Sequence, residues 1–181
     1  MTILNPIDKD QLSSGMAKIV NKFKSDPDYA NGLQIFAHKQ EVFEPIWAAY
    51  LNMLENGKLD RGLKELVRIK IAQNNDCSSY SEKSSLRRSP MRPDSVPGLS
   101  QEKILATSSY EVSDVLDRRE KLALKFAEKL GIEPEGLDDE FFDLLRQEFT
   151  DPEIVELAHI IAVGIGFERF LAVWESRACA I

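Results

Sequence analysis

The chain is poor in cysteine and histidine. Its 181 residues hold two of each: Cys77 and Cys179, His38 and His159. Two cysteines so far apart exclude a disulfide scaffold, and with only two histidines they argue against a structural zinc site. No Cys-x-x-Cys pair occurs. Long apolar runs are also missing. The longest, 160–167, spans eight residues and contains two glycines, whereas a membrane-spanning helix needs about 20. The N-terminus has no basic stretch followed by an apolar one, so a cytoplasmic, reduced protein is expected. Strand signals are absent too: no segment alternates apolar and polar residues with β-branched enrichment between tight turns.

Positive charge is in deficit. Lys and Arg number 23 against 30 Asp and Glu, a net charge of −7. An acidic chain repels phosphate backbones, which argues against nucleic-acid binding. The charge is clustered. Lys83, Arg87, Arg88 and Arg92 fall within ten residues, and 133–153 carries nine acids against Arg146 alone. Such clusters read first as solvated faces, and otherwise as a rim for an anionic ligand or as complementary subunit patches.

Helical signals fill the chain. Asp8-x-x-Gln11 resembles a capping box ahead of Met16, Ile19, Val20 and Phe23. Asp26-Pro27 pairs a cap with a first-turn proline before Leu33, Phe36 and Ala37. In 42–54, Val42, Ile46, Ala49, Tyr50, Met53 and Leu54 form an apolar stripe that stops at Asn56-Gly57. The segment 63–72 is apolar on most faces and predicts a central helix. Asn74-Asn75-Asp76 then breaks the chain before a helix starting near Cys77 and running to about Arg88. Three prolines make 89–98 a loop. A short helix over 100–107, a helix over 117–130 stopped by Gly131, and another over 139–149 follow. The last and longest helix opens at Thr150-Asp151-Pro152-Glu153 and runs to about Trp174. The expectation is an all-α fold of about seven to nine helices, with residues 1–29 as an N-terminal helical arm on a domain over 30–181.

The chemistry concentrates around Cys77. On one unbroken helix Glu65 and Cys77 would lie about 120° apart, so they converge only if the chain breaks between them, and 74–76 supplies that break. A carboxylate from one helix would then face a thiol in the first turn of the next, where the helix N-terminus and Lys83 favour a thiolate. Tyr80, Ser81, Ser84 and Arg88 share a face with Cys77. The plainer alternative is a small buried residue at a helix start.

Leu59, Asp60, Glu65, Leu66, Val67, Ala72, Asn74 and Cys77, with twelve positions from glutamate to cysteine, carry a resemblance. The chain is similar to the carboxymuconolactone decarboxylase and alkylhydroperoxidase-D-like superfamily over roughly residues 30–175. The resemblance implies that superfamily's helical domain, a homo-oligomer, and a site in which a thiolate attacks a peroxide. In redox-active members a second cysteine three residues on resolves the intermediate, and a histidine and the upstream glutamate relay protons. Here those two positions are Tyr80 and Ser84. A tyrosine forms no disulfide, and a serine exchanges no proton near neutral pH.

Three functions follow as expectations. The first is a one-cysteine, thiol-dependent peroxidase or antioxidant, with Cys77 as nucleophile, Glu65 as acid–base partner, and Tyr80 and Ser84 shaping the site. It needs no cofactor or metal, and its partners are a small-molecule substrate and a thiol reductant, with Cys179 as an alternative resolving thiol. The second is a non-redox, oligomeric binding or structural module. The third is decarboxylase-type chemistry on a small carboxylate held by the cluster over 83–92. Among the remaining residues, His38 is expected to be partly buried and His159 a hydrogen-bonded core residue. Arg169 is expected to pair with an acid, Glu65 being a candidate, and Trp47 and Trp174 to lie in the core or at a subunit interface.

Overall fold

The computed structural model describes residues 4–74 and 96–178. Among these residues every regular element is helical. Helix α1 spans Ser14–Lys22, α2 Pro27–Phe36, α3 Gln40–Glu55 and α4 Arg61–Asn74. Beyond residue 95 come α5 Gln101–Ala106, a 3-10 turn Thr107–Val112, α6 Arg118–Ile132, α7 Asp139–Glu148 and α8 Asp151–Ala178.

Capping fixes most of these starts, because the first N–H groups of a helix need acceptors. Asp26 accepts from the Tyr29 N–H at 3.2 Å, with Pro27 in the first turn. Asp60 accepts from Leu63 N–H at 2.8 Å and opens α4. At α6 the capping box is complete: Asp117 accepts from Glu120 N–H, and Glu120 accepts from Asp117 N–H. The first helix departs from expectation. Asp8 makes no side-chain cap, and Ser13 caps instead, accepting from Met16 N–H at 3.0 Å.

Helix α4 is the axle of the fold. It packs against α3, α6 and α8, and every residue from 62 to 72 is buried. The main apolar cluster joins Leu63, Val67 and Ile71 of α4 to Trp47 and Tyr50 of α3, Phe126 of α6, and Leu157 and Ile161 of α8. Met16, Val20 and Phe23 belong to the same cluster. Gly164 lets α8 close on α4 and α3: a β-carbon there would lie 3.2 Å from Ile71 Cδ1 and 3.3 Å from the Tyr50 hydroxyl. Gly57, with φ 108°, reverses the chain after α3 in a backbone conformation other residues rarely adopt.

Several sequence readings need correction. In α3 the buried face is Phe43, Trp47, Tyr50 and Leu54, while Val42, Ile46 and Ala49 are exposed. Two apolar stripes run along this helix, and the one with the larger aromatic area is turned inward. Gly131 does not stop α6, which continues to Ile132 and ends ahead of Pro134. The 3-10 turn Thr107–Val112 is an unforeseen element, and α8 runs past Trp174 to Ala178. The helix expected from Cys77, and most of the loop over 89–98, lie outside the described residues. No helix among the described residues is long and apolar enough to cross a membrane.

Candidate functional site

Helix α4 carries four charged side chains, Lys64, Glu65, Arg68 and Lys70, into an interior that is otherwise apolar. All four are buried. Burial of unpaired charge costs many kcal/mol, so each must find a partner.

Glu65 and Arg68 find each other one turn apart. Arg68 donates from Nε to both Glu65 oxygens, at 3.1 and 3.0 Å, and from Nη2 to Oε1 at 2.9 Å. Both side chains are essentially inaccessible to solvent. The fork geometry fixes the carboxylate in one orientation. Tyr50 of α3 and Glu168 of α8, both buried, add their fields to the same guanidinium. Burial by itself would pull the Arg68 pKa down, but Glu65 foremost, then Glu168 and Tyr50, outweigh it and hold the group charged. Burial drives the Tyr50 hydroxyl in the opposite sense, well above its ordinary value, with Arg68 opposing.

Lys64 points another way. It pairs with Glu156 at 2.6 Å and donates to the carbonyls of Met53, at 2.8 Å, and Asn56. This cation therefore satisfies the carbonyls at the end of α3 and ties them to α8. Burial favours the neutral form of Glu156, but Lys64 and the N–H of Lys58 win and lower its pKa. Lys70 reaches α6, pairing with Glu128 at 2.9 Å and lying 4.8 Å over the Tyr110 ring. The Tyr110 hydroxyl donates to the same Glu128 carboxylate. Burial first and Glu128 second push that phenol far above its usual range.

Of the residues singled out in the sequence, the structure describes Glu65 and places it at the centre of the fold. Cys77, Tyr80, Ser84, Cys179 and the basic cluster Lys83, Arg87, Arg88 and Arg92 lie outside the described residues. Arg169 does not pair with Glu65, whose partner is Arg68; it is exposed and donates to the Gly131 carbonyl. His159 is exposed, with Nδ1 against the Val155 carbonyl, rather than a core residue. His38 is exposed as well and contacts the Asn5 carbonyl. Trp47 is buried in the core; the Trp174 side chain lies outside the description. Among the described residues no group of three or more His, Cys, Asp or Glu is placed to hold a metal ion. The sequence reading missed Arg68, Tyr50 and Glu168. The signal for Arg68 was available: it stands three residues from Glu65 on a helix too apolar to leave a cation in water.

This arrangement, a buried polar helix enclosed by α3, α6 and α8, is the alkylhydroperoxidase-D-like fold. Two structures of the debrominase Bmp8 share it. The apo form is 18% identical, covers 97% of this chain and 91% of its own, and has a TM-score of 0.71. An alanine-for-cysteine variant in complex with 2,3,4-tribromopyrrole is 19% identical, with a TM-score of 0.69 over 97% and 90%. The alkylhydroperoxidase AhpD core of a peroxidase-related protein from Ralstonia eutropha JMP134 is 20% identical over 93% and 89%, with a TM-score of 0.64. No family model matches the chain, and no curated protein matches its sequence.

Proposed function

We propose that this protein is a thiol-dependent peroxidase of the alkylhydroperoxidase-D-like type, with Cys77 as its one reacting thiol. The observation supporting this most directly is the buried Glu65–Arg68 pair on the helix that leads toward Cys77. An apolar pair of similar volume would stabilise the core as well or better, so a fixed, dry carboxylate at this position fits an acid–base role more than a packing role. Tyr80 and Ser84 shape the site, and the working form is a homo-oligomer.

The cycle closes with an external thiol. The Cys77 thiolate attacks one oxygen of a hydroperoxide; the S–O bond forms and the O–O bond breaks. The departing alkoxide takes a proton and leaves as alcohol, and Cys77 is left as sulfenic acid. One reductant thiol displaces water to give a mixed disulfide, and a second releases Cys77. The sum is one hydroperoxide and two thiols converted to alcohol, water and one disulfide.

The Bmp8 structures support a second substrate class for the same thiol, since one of them pairs a substituted cysteine with a bromopyrrole. In that reaction a bromoarene and two thiols would yield the arene, hydrogen bromide and a disulfide.

The test is thiol-driven turnover of cumene hydroperoxide and, in parallel, 2,3,4-tribromopyrrole, read with the parent protein, Cys77→Ser and Glu65→Gln. Expected are turnover by the parent, none by Cys77→Ser, slower turnover by Glu65→Gln, and a Cys77 alkylation pKa below the reference of about 8.5. Hydroperoxide consumption undiminished in Cys77→Ser would sink the thiol mechanism. A parent inert to both substrates, with an ordinary thiol pKa, would leave the non-redox module as the better reading.

A further inference from the structure

Away from the Glu65–Arg68 pair, an open cleft of about 330 Å³ lies where the 3-10 turn, α6 and α7 meet. Tyr110, Leu122 and Leu144 supply its apolar surface. Tyr110 is a rigid floor: the residue is buried, and its hydroxyl is engaged by Glu128, itself tied to Lys70. The ring is thereby left as a fixed apolar contact. Leu144 is an exposed apolar residue with no other role in the core.

The rim has the opposite character to the protein as a whole. In a chain of net charge −7, three cations, Arg118, Lys121 and Lys125, line the cleft against one carboxylate, that of Glu111. They lie three and four residues apart on one face of α6, where like charges repel. None is firmly neutralised. Lys125 stands 3.4 Å from Glu111, with side chains 43% and 65% exposed. Lys121 reaches only the Glu111 backbone carbonyl, at 3.3 Å. Arg118 bonds the Gln147 amide and stands 3.4 Å from Glu148. Exposed pairs of this length contribute little and exchange readily for a better anion.

We propose that this cleft binds a small amphipathic monocarboxylate, its aryl or short alkyl body on Tyr110, Leu122 and Leu144 and its carboxylate between Lys121 and Lys125. The volume sets the size, since small-molecule sites run from about 300 to 1,000 Å³ and this one is at the lower end. Apolar contact supplies affinity, and the cations select the charged head and relieve their mutual repulsion. None of the residues lining the cleft is among those given a role in the proposed thiol chemistry.

The experiment uses 1-naphthoate as probe on the full-length, isotope-labelled chain, with amide shifts followed by NMR. Expected is saturable binding that perturbs Tyr110, Leu122 and Leu144, weakens with salt and persists in Cys77→Ser. Lys121→Gln/Lys125→Gln removes both cations that hold the carboxylate and should weaken binding by at least about tenfold, the scale of one charge-assisted contact, and neutral 1-naphthylmethanol should bind as weakly to the parent. Thermal melts confirm that the double variant is folded; Leu144→Ser, which removes a partly exposed apolar side chain, gives a second reading and should also weaken binding. Absence of saturable binding, shifts mapping elsewhere, equal affinity in the lysine double variant, or an alcohol that binds as well as the acid would each overturn the proposal.

Discussion

Ion pairs occur in two settings in this molecule. Around α4, Lys64–Glu156, Glu65–Arg68 and Lys70–Glu128 have at least one partner sealed from water. Around α7 and the start of α8, Arg146–Asp143 and Arg118–Glu148 stand at the surface or half-exposed, and Arg119–Glu153 is partly buried. The distances are similar, and the energetics are not. A buried pair has already lost its hydration, so its Coulomb attraction mostly offsets a penalty, and removal of one partner exposes the whole cost. A surface pair keeps its water and contributes about 0–1 kcal/mol. The inner set is therefore fragile to single changes, and the outer set tolerates them.

The largest expected effect is at Arg68. Arg68→Ala leaves Glu65 buried without its fork and should lower stability by about 3–5 kcal/mol, against a total of about 5–15 for a domain. Chemical denaturation of parent and variant measures this. Replacement of both partners by apolar residues, Glu65→Leu with Arg68→Met, should recover part of the loss, because Glu65 no longer strands a charge, while buried Glu168 still loses the field of Arg68. A single variant that costs less than about 1 kcal/mol would mean that Glu65–Arg68 behaves as a surface pair, and the comparison would fail.

A smaller effect sits at the border of the two sets. Glu153 accepts from the Thr150 N–H and hydroxyl, both at 2.8 Å, and pairs with Arg119 at 2.7 Å. The Thr150 hydrogen bonds foremost, then Arg119, hold its carboxyl down at about 2. The unfolded value is about 4.3, so the stabilisation is complete above that pH and is lost as pH falls toward 2. Glu153→Gln should cost about 1 kcal/mol at pH 7, the usual scale for a cap. Its stability should also fall less steeply than the parent's between pH 4.5 and 2, as read by denaturant melts across that window. An acid limb as steep in the variant as in the parent would assign the transition to other carboxylates.

The inner set was only partly legible from the sequence. Apolar residues on nearly every face of 63–72 announce a buried helix, and Glu65 stood out by its distance from Cys77. Lys64, Arg68 and Lys70 did not, because periodicity assigns a charged residue to water by default; Glu156 and Glu128, which pair with the two lysines, come from helices far along the chain, whereas the partner of Arg68, Glu65, stood three residues away. The α3 error has a related origin. Val42 and Ile46 make as good a stripe as Phe43 and Trp47, and only tertiary packing, against Phe167 of α8, Phe36 of α2 and Phe23, decides between them. The cap at Asp26 was legible because a proline follows it directly; Asp60 and Asp117 cap α4 and α6 in the same way and were not read as caps. Cys77, Tyr80 and Ser84 of the proposed site lie beyond the described residues.

The smallest effect is expected at Arg146, the one cation in the acid-rich stretch 133–153. Its position invites the idea that it relieves the surrounding repulsion. It reaches Asp143 at 3.1 Å and Asp151 at 3.6 Å, but its side chain is 55% exposed and theirs are 75% and 82%. Water already screens these carboxylates, and the ordering of a long side chain offsets what attraction remains. Arg146 also lies in the last turn of α7, where a cation complements the helix dipole for a few tenths of a kcal/mol. Arg146→Ala should therefore cost about 0.5 kcal/mol or less, and the cost should shrink with added salt. Paired thermal melts at low and high salt measure both. A loss that is large and indifferent to salt would show that the acidic stretch depends on Arg146 as the core depends on Arg68.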